Sequence, residues 1–324
     1  MHKCLSLALC SAFFVLLFLC PSAQADGGER ELRAGNLAGT LLPADKPDAP
    51  VVIIIPGSGP TDQDGNNPLI GKGMIYRQLA VALARQGVSS LRVDKRGMFG
   101  SAAEGVDPNA VTLADYAEDI QSWVNTLKSE TGATRIWLAG HSEGGLVALT
   151  AAGQTENING IILLATPGRP IGEILRAQLT ANPANVLLLP AANAVITALE
   201  KGDSVDVATI PHPLRGLFHP GVQPFLIDLM RRDPTALMAE VGLPALIVQG
   251  GNDLQILPRD ADLLHAANPQ SALVVVDGMT HALRHAASSS RADNLATYAD
   301  AAMPTSPEAV KAMADFIREN ENVE

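Results

Sequence analysis

Cysteine is nearly missing from this 324-residue chain: Cys4, Cys10 and Cys20 are the only three, all near the start. Beyond residue 20 there is no thiol nucleophile, no disulfide and no cysteine-ligated metal to invoke, so stability must come from an apolar core. Basic charge is also in short supply. Lys and Arg total 23 against 34 Asp and Glu, a net charge of -11, which disfavours nucleic acid and anionic membrane surfaces as partners. There is no charge run long enough for an interaction tail, no internal repeat and no low-complexity linker. His, Cys, Asp and Glu nowhere take up metal-ligand spacing, so no metal or other cofactor is expected. What remains, 47% hydrophobic and 18% charged, suits one large or two small globular domains.

The first 25 residues read as a secretory signal peptide. Lys3 supplies the positive end, Leu5 to Leu19 the apolar stretch, and Ala23-Gln24-Ala25 the small-residue cleavage site. That stretch is short for a membrane span, and Pro21 interrupts its end. Cleavage after Ala25 would remove all three cysteines and export the rest to the periplasm or beyond, with no stable membrane insertion.

Short β-rich runs then alternate with helix-length segments. The runs begin at residues 51, 89, 135, 160, 244 and 272; the helical patterns include Met74 to Gln86, Leu113 to Ser129 and Ser142 to Ala152. A last helix is expected from Pro307 to Glu319, capped by Ser306. Such alternation is the sequence form of an α/β protein with a mostly parallel sheet covered by helices on both faces. From Pro167 to Leu243 no convincing strand occurs, only helical patches separated by prolines. That length exceeds one crossover and predicts an inserted helical lid at 167–243 between core segments 26–166 and 244–324.

The stretch VVIIIPGSGPTDQDGNNP at residues 51–68 looks like a ligand loop. It lacks the third glycine of a dinucleotide loop, because Asp62 stands there, and Asn66 and Gly73 fail the P-loop spacing. An EF-hand starting at Asp62 would need glycine at 67 and glutamate at 73, where the chain has Asn67 and Gly73. Its role has to come from elsewhere.

Gly140-His141-Ser142-Glu143-Gly144 lies between a predicted strand and a predicted helix, the context of a G-x-S-x-G nucleophile elbow. The sharp turn lifts Ser142 above the sheet and crowds the flanking positions, hence the glycines. An elbow requires an acid and then a histidine after later strands. Asp253 follows the strand from 244, and His281 the strand from 272. Among rival acids, Asp277 sits too close to its strand end, and Asp260 and Asp262 fall in the next predicted helix. The rival histidines are His141, His212, His219, His265 and His285; one helical turn would carry His285 away from the first loop position. Ser142 would be the nucleophile, His281 its general base, and Asp253 the group that orients the imidazole. Backbone N–H groups would stabilise the oxyanion, one from Glu143 and one from the glycine loop, where Ser58 is the first choice and Gly59 the alternative.

Together GSGPTDQDGNNP, DKRGMFGS, GHSEGG, TPGRP, QGGNDLQI and GMTHAL resemble the α/β-hydrolase superfamily, and within it a group of bacterial serine carboxylesterases, across residues 30 to 320. The resemblance implies a helical lid after the sixth strand, a Ser142–Asp253–His281 triad and Ser58 and Glu143 amide donors. It implies that Asp94 and Arg96 pin their loop against Asp62 to Asn66. Gln63 and Thr280 depart from the group's arginine and asparagine. The expected activity is cleavage of small-molecule carboxylic esters, with short- to medium-chain acyl groups, through an acyl-serine; the Leu/Ala/Pro-rich lid segment argues for a neutral, apolar substrate. An acyltransferase, thioesterase or peptidase using the same triad, and a silent ligand-binding relative, are the alternatives.

Overall fold

The structure, a computed structural model, describes residues 28–46 and 48–320. The predicted signal peptide and all three cysteines lie outside the described residues. Eight strands form one sheet in the order β1-β2-β4-β3-β5-β6-β7-β8. β1 (Arg30–Ala34), β2 (Leu37–Leu42) and β4 (Ser89–Val93) pair antiparallel in turn at one edge. From β4 the sheet is parallel, through β3 (Val51–Ile55), β5 (Ile136–His141), β6 (Gly160–Leu164), β7 (Ala245–Gly250) and β8 (Ala272–Val276). This is the α/β-hydrolase fold.

Strand periodicity divides the core in two. Ile53, Leu138, Leu163 and Ile247 point to one face, and Val52, Trp137, Ile162 and Leu246 to the other. The second face is covered by α1 (Ile75–Arg85) and α10 (Pro307–Asn320), which touch each other. The first is covered by α2 (Leu113–Thr131) and α3 (Glu143–Ala152), with α8 (Pro258–Ala267) against β7 and β8. With both faces covered, the central strands are continuous apolar runs, each fully buried Ile or Leu contributing roughly 1.5–3 kcal/mol. Ser306 Oγ accepts from the Ala309 N–H at 3.3 Å, capping α10 as its sequence predicts.

Between β6 and β7 the chain forms α4 (Ile171–Thr180), α5 (Leu189–Glu200), α6 (Gln223–Met230) and α7 (Pro234–Ala239), with no strand among the described residues. α4, α5 and α6 pack on one another, whereas α7 packs on α3 and α8. α7 thus belongs with the helices that cover the sheet, and the three helices before it contact one another. The segment following α8 and β8 carries α9 (Arg291–Ala296) before the chain reaches α10. Among the described residues no helix is long and apolar enough to cross a membrane.

Candidate active site

Ser142 occupies the turn between β5 and α3 with φ 56° and ψ -121°, a backbone geometry that costs of order 1–3 kcal/mol for a non-glycine residue. Crowding explains the glycines beside it. A Cβ on Gly140 would lie 2.2 Å from the Gly144 carbonyl oxygen, one on Gly144 2.4 Å from that of Ile55, and one on Gly145 1.9 Å from Thr166 Oγ1. The Ser142 N–H donates to Leu164 O at 2.8 Å, tying the turn to β6.

Asp253 follows β7, and its side chain is saturated with donors. Oδ1 accepts from the Gln255 N–H at 2.7 Å and the Ile256 N–H at 3.0 Å. Oδ2 accepts from His281 Nδ1 at 2.8 Å and from Gln249 Nε2 at 3.3 Å. Both Asp253 and His281 are buried. Because the carboxylate accepts at Nδ1, the His281 proton sits there and the Nε2 lone pair is available to a reacting hydroxyl. Ser142 and His281 line the same small cavity, together with Gly57, Ser58, Tyr76 and His141. No hydrogen bond joins Ser142 Oγ to His281 in this structure; such bonds are often long until substrate aligns the pair.

Of the rival groups, His141 lines the small cavity and His219 the large one, whereas Asp260, His265 and His285 are bonded elsewhere. Asp260, on α8, is paired with Arg169 at 2.8 Å, and His265 is bonded to Ser271 Oγ at 3.0 Å. His285 is carried away by a non-helical turn, not the expected helix, and pairs with Glu308 at 2.9 Å. That turn is closed by Thr280 N–H to Arg284 O at 2.8 Å, with Leu283 at φ 57°. Buried Arg284 donates to the carbonyls of Thr297, Asp300 and Gly73, so the His281 loop is fixed from behind.

The glycine loop after β3 is braced at both sides of one residue, Gly57. The Gly57 N–H donates to Tyr76 Oη at 2.9 Å, and Lys95 Nζ donates to Gly57 O at 2.8 Å. Peptide planarity then turns the Ser58 N–H opposite to the Gly57 carbonyl. The Ser58 and Glu143 N–H groups have no acceptor among the described residues, and both residues line a cavity with Ser142. Glu143 is the first residue of α3, where the helix dipole also favours negative charge. Buried Lys95 also lies 3.8 Å from the Glu143 carboxylate. Burial lowers its ammonium pKa, and Glu143 opposes that shift.

The acidic stretch that follows is consumed by local bonds. Asp62 Oδ1 accepts from the N–H groups of Asp64 at 2.9 Å and Asn66 at 2.8 Å, and Asp64 pairs with buried Arg92. Asp94 holds this loop as expected, accepting from the Gln63 N–H at 2.7 Å. Arg96 does not. It forks onto Asp119 of α2 at 2.6 Å and 2.8 Å, so the expectation for Arg96 is corrected, and Arg92 supplies the cation instead. Thr280, where the sequence departs from asparagine, is buried and bonded to Arg284 O at 3.1 Å.

Tyr76 was not legible as a site residue, and His141 only as a rival for the base. His141 Nδ1 lies 2.9 Å from Tyr76 Oη, and its Nε2 lies 2.8 Å from His281 O. The Tyr76 hydroxyl already accepts from Gly57, so it donates to Nδ1, and Nε2–H donates to the His281 carbonyl. Burial lowers the His141 pKa to about 3, keeping the ring neutral, and raises that of Tyr76. One directional chain thus runs from the glycine loop to the backbone of His281. Residues 65 and 140 positions apart make it, a separation no local spacing rule covers.

A large cavity of about 820 Å³ and the small one of about 190 Å³ meet at Ser58, Ser142 and Gln255. The large one is walled by α4 and α6 through Ile171, Ile174, Leu175, Phe225 and Leu229. Among the described residues, no group of three or more His, Cys, Asp or Glu side chains is placed to hold a metal ion.

Comparison with known proteins follows this geometry. Esterase EstD of Thermotoga maritima is 28% identical over 237 residues, covering 72% of this chain and 54% of that protein. The chain spans about half the length of that curated relative. Among solved structures, an esterase of Pyrococcus furiosus superposes with a TM-score of 0.55 at 15% identity, covering 90% of this chain and 89% of that one. Proline iminopeptidase of Mycobacterium smegmatis gives a TM-score of 0.54 at 14% identity, over 90% of this chain and 98% of that one. Est1E of Butyrivibrio proteoclasticus, solved with ferulic acid, gives 0.54 at 18% identity, over 90% and 99%. These likenesses show the fold. The serine aminopeptidase S33 family matches residues 70–286, and the chain belongs to that family.

Proposed function

We propose that this protein is a serine hydrolase that cleaves carboxylic esters through an acyl-Ser142 intermediate. The observation that carries the reading is the Asp253–His281 hydrogen bond at 2.8 Å, set beside a strained Ser142 at the junction of two cavities. His281 Nε2 takes the Ser142 Oγ proton as Oγ attacks the ester carbonyl. The Ser58 and Glu143 N–H groups meet the oxyanion, a contribution of roughly 3–4 kcal/mol per donor in comparable sites. His281 then returns the proton to the departing alkoxide. A water molecule, activated by the same base, releases the acid.

The family description names aminopeptidases, which must hold a free substrate ammonium. Among the described residues Glu143 is the only acid lining either cavity, and Lys95 lies beside it. No spare carboxylate therefore waits for an amine, which supports an ester over an aminopeptide. The name of the Thermotoga maritima relative points the same way.

The test is labelling with an alkyl fluorophosphonate, followed by titration of acid released from methyl butyrate. The native protein should label and hydrolyse, and Ser142→Ala should do neither. Absence of labelling in the native protein, or equal labelling of Ser142→Ala, would sink the proposal.

A further inference from the structure

The two cavities differ in size and in access to the proposed base, and these differences assign the two halves of the substrate. Resting on the ester-hydrolase reading above, we propose that the substrates join a bulky apolar acid to a small alcohol. The acyl group would lie under α4 and α6, and the alcohol would leave through the glycine-walled cavity beside His281.

Proton transfer sets the orientation. As Ser142 Oγ bonds to the carbonyl carbon and the bond to the alcohol oxygen breaks, the proton taken from Oγ passes from His281 Nε2 to that oxygen. The leaving alcohol must therefore sit within reach of His281. His281 lines the small cavity and not the large one, whereas Glu143, the helix-borne oxyanion donor, lines the large cavity and not the small one. With the oxyanion directed at Ser58 and Glu143, the rest of the acyl group is left the large cavity.

Volume then sets the chemistry. The small cavity, about 190 Å³, corresponds to about six water volumes at ~30 Å³ each, room for an alcohol of a few heavy atoms. Its walls mix Gly57, Gly65 and Gly71 with Ile70 and Ile75 and the polar groups of Thr61, Asn67 and Tyr298, so its size more than its polarity limits the alcohol. Added Cβ atoms would not fit there: at Gly65 one would come 2.8 Å from the Tyr76 nitrogen, and at Gly71 3.0 Å from Ala299 Cβ. The large cavity, about 820 Å³, lies in the range that holds drug-sized ligands, and its walls from α4 and α6 are aliphatic and aromatic. Each methylene transferred there from water gains ~0.8 kcal/mol, close to fourfold in kcat/KM until the chain meets the far wall.

Two ester series test the assignment. Methyl esters of acids from acetate to decanoate should rise at least tenfold in kcat/KM. Hexanoate esters of alcohols from methanol to octanol should fall at least tenfold. Ile174→Trp, which fills the large cavity, should move the acyl optimum toward acetate. Ile70→Ala, which opens the small cavity, should flatten the alcohol series. A protein that labels with fluorophosphonate and hydrolyses esters, but prefers short acids with long alcohols or is indifferent in both series, overturns the assignment and leaves the hydrolase reading standing. Failure to label overturns the hydrolase reading itself.

Discussion

The loops around Ser142 and the helices that roof it are built from opposite materials. The loops are cross-braced by buried polar contacts: four donors on Asp253, Lys95 and Tyr76 on the two peptides flanking Gly57, and Arg284 behind His281. The roof, α4 to α6, presents Ile174, Leu175, Phe225 and Leu229 to its cavity. Its buried ion-paired root is Arg169, which meets Asp260 of α8 at 2.8 Å. Hydrogen bonds fix direction and packing fixes volume, so changes in the loops should act on rate while changes in the roof act on selectivity.

The sharpest break is Asp253→Asn. The amide cannot accept from His281 Nδ1 as the carboxylate does, and a swapped tautomer would leave Nε2 protonated and unable to take the Ser142 proton. We expect kcat to fall by about 10⁴, as for the corresponding loss in serine proteases, with far-UV circular dichroism unchanged. A fall below tenfold would show that the His281 tautomer is set by something else.

On the roof side, Arg169→Met should act on stability. Fully buried Asp260 accepts from the Gly168 and Arg169 N–H groups as well as from the guanidinium of largely buried Arg169. Removing one partner of a buried pair costs about 3–5 kcal/mol, readable in urea unfolding. A loss under about 1 kcal/mol would mean that packing alone anchors the root.

How much of this contrast was legible beforehand follows the range of each interaction. Strands β3 to β8 and the helices between them were readable because both sheet faces are covered, leaving unbroken apolar runs such as Val51 to Ile55. β1 and β2 were not. They form an edge hairpin in which Arg30 and Glu31 are exposed and Gly35 takes φ 62°, so apolar periodicity is weak. The order of serine after β5, acid after β7 and histidine after β8 marked three candidates, of which Asp253 and His281 are hydrogen-bonded and Ser142 lines a cavity with His281. The partner of Arg96 was misread because α2, not the neighbouring loop, presents Asp119 and Asp115, and sequence carries no signal for that choice.

A smaller effect tests the chain from Gly57 to His281. Tyr76→Phe keeps the ring but removes the hydroxyl that accepts from Gly57 and donates to His141. Both partners stay buried without their bond, at about 1–3 kcal/mol, so the glycine loop should lose its setting. We expect kcat to fall about tenfold to a hundredfold with KM nearly constant, because neither acyl wall moves. An equal change in KM would mean that Tyr76 acts through the small cavity it lines more than through its brace on Gly57.

The last effect is in pH. His141 is neutral in the folded protein, with a pKa of about 3 against an ordinary 6.5. Between those values the unfolded chain binds a proton that the folded protein refuses, so folding stability rises with pH across that window. It is fully present above pH 6.5 and is lost progressively on acidification toward pH 3, at on the order of 1 kcal/mol per pH unit. His141→Gln should flatten that part of the urea-derived stability profile relative to the native protein. The paired carboxylates contribute to both profiles alike, so the difference between them isolates His141. If both proteins lose stability in parallel from pH 6.5 to pH 4, the neutral His141 assigned from Tyr76 and His281 O is wrong.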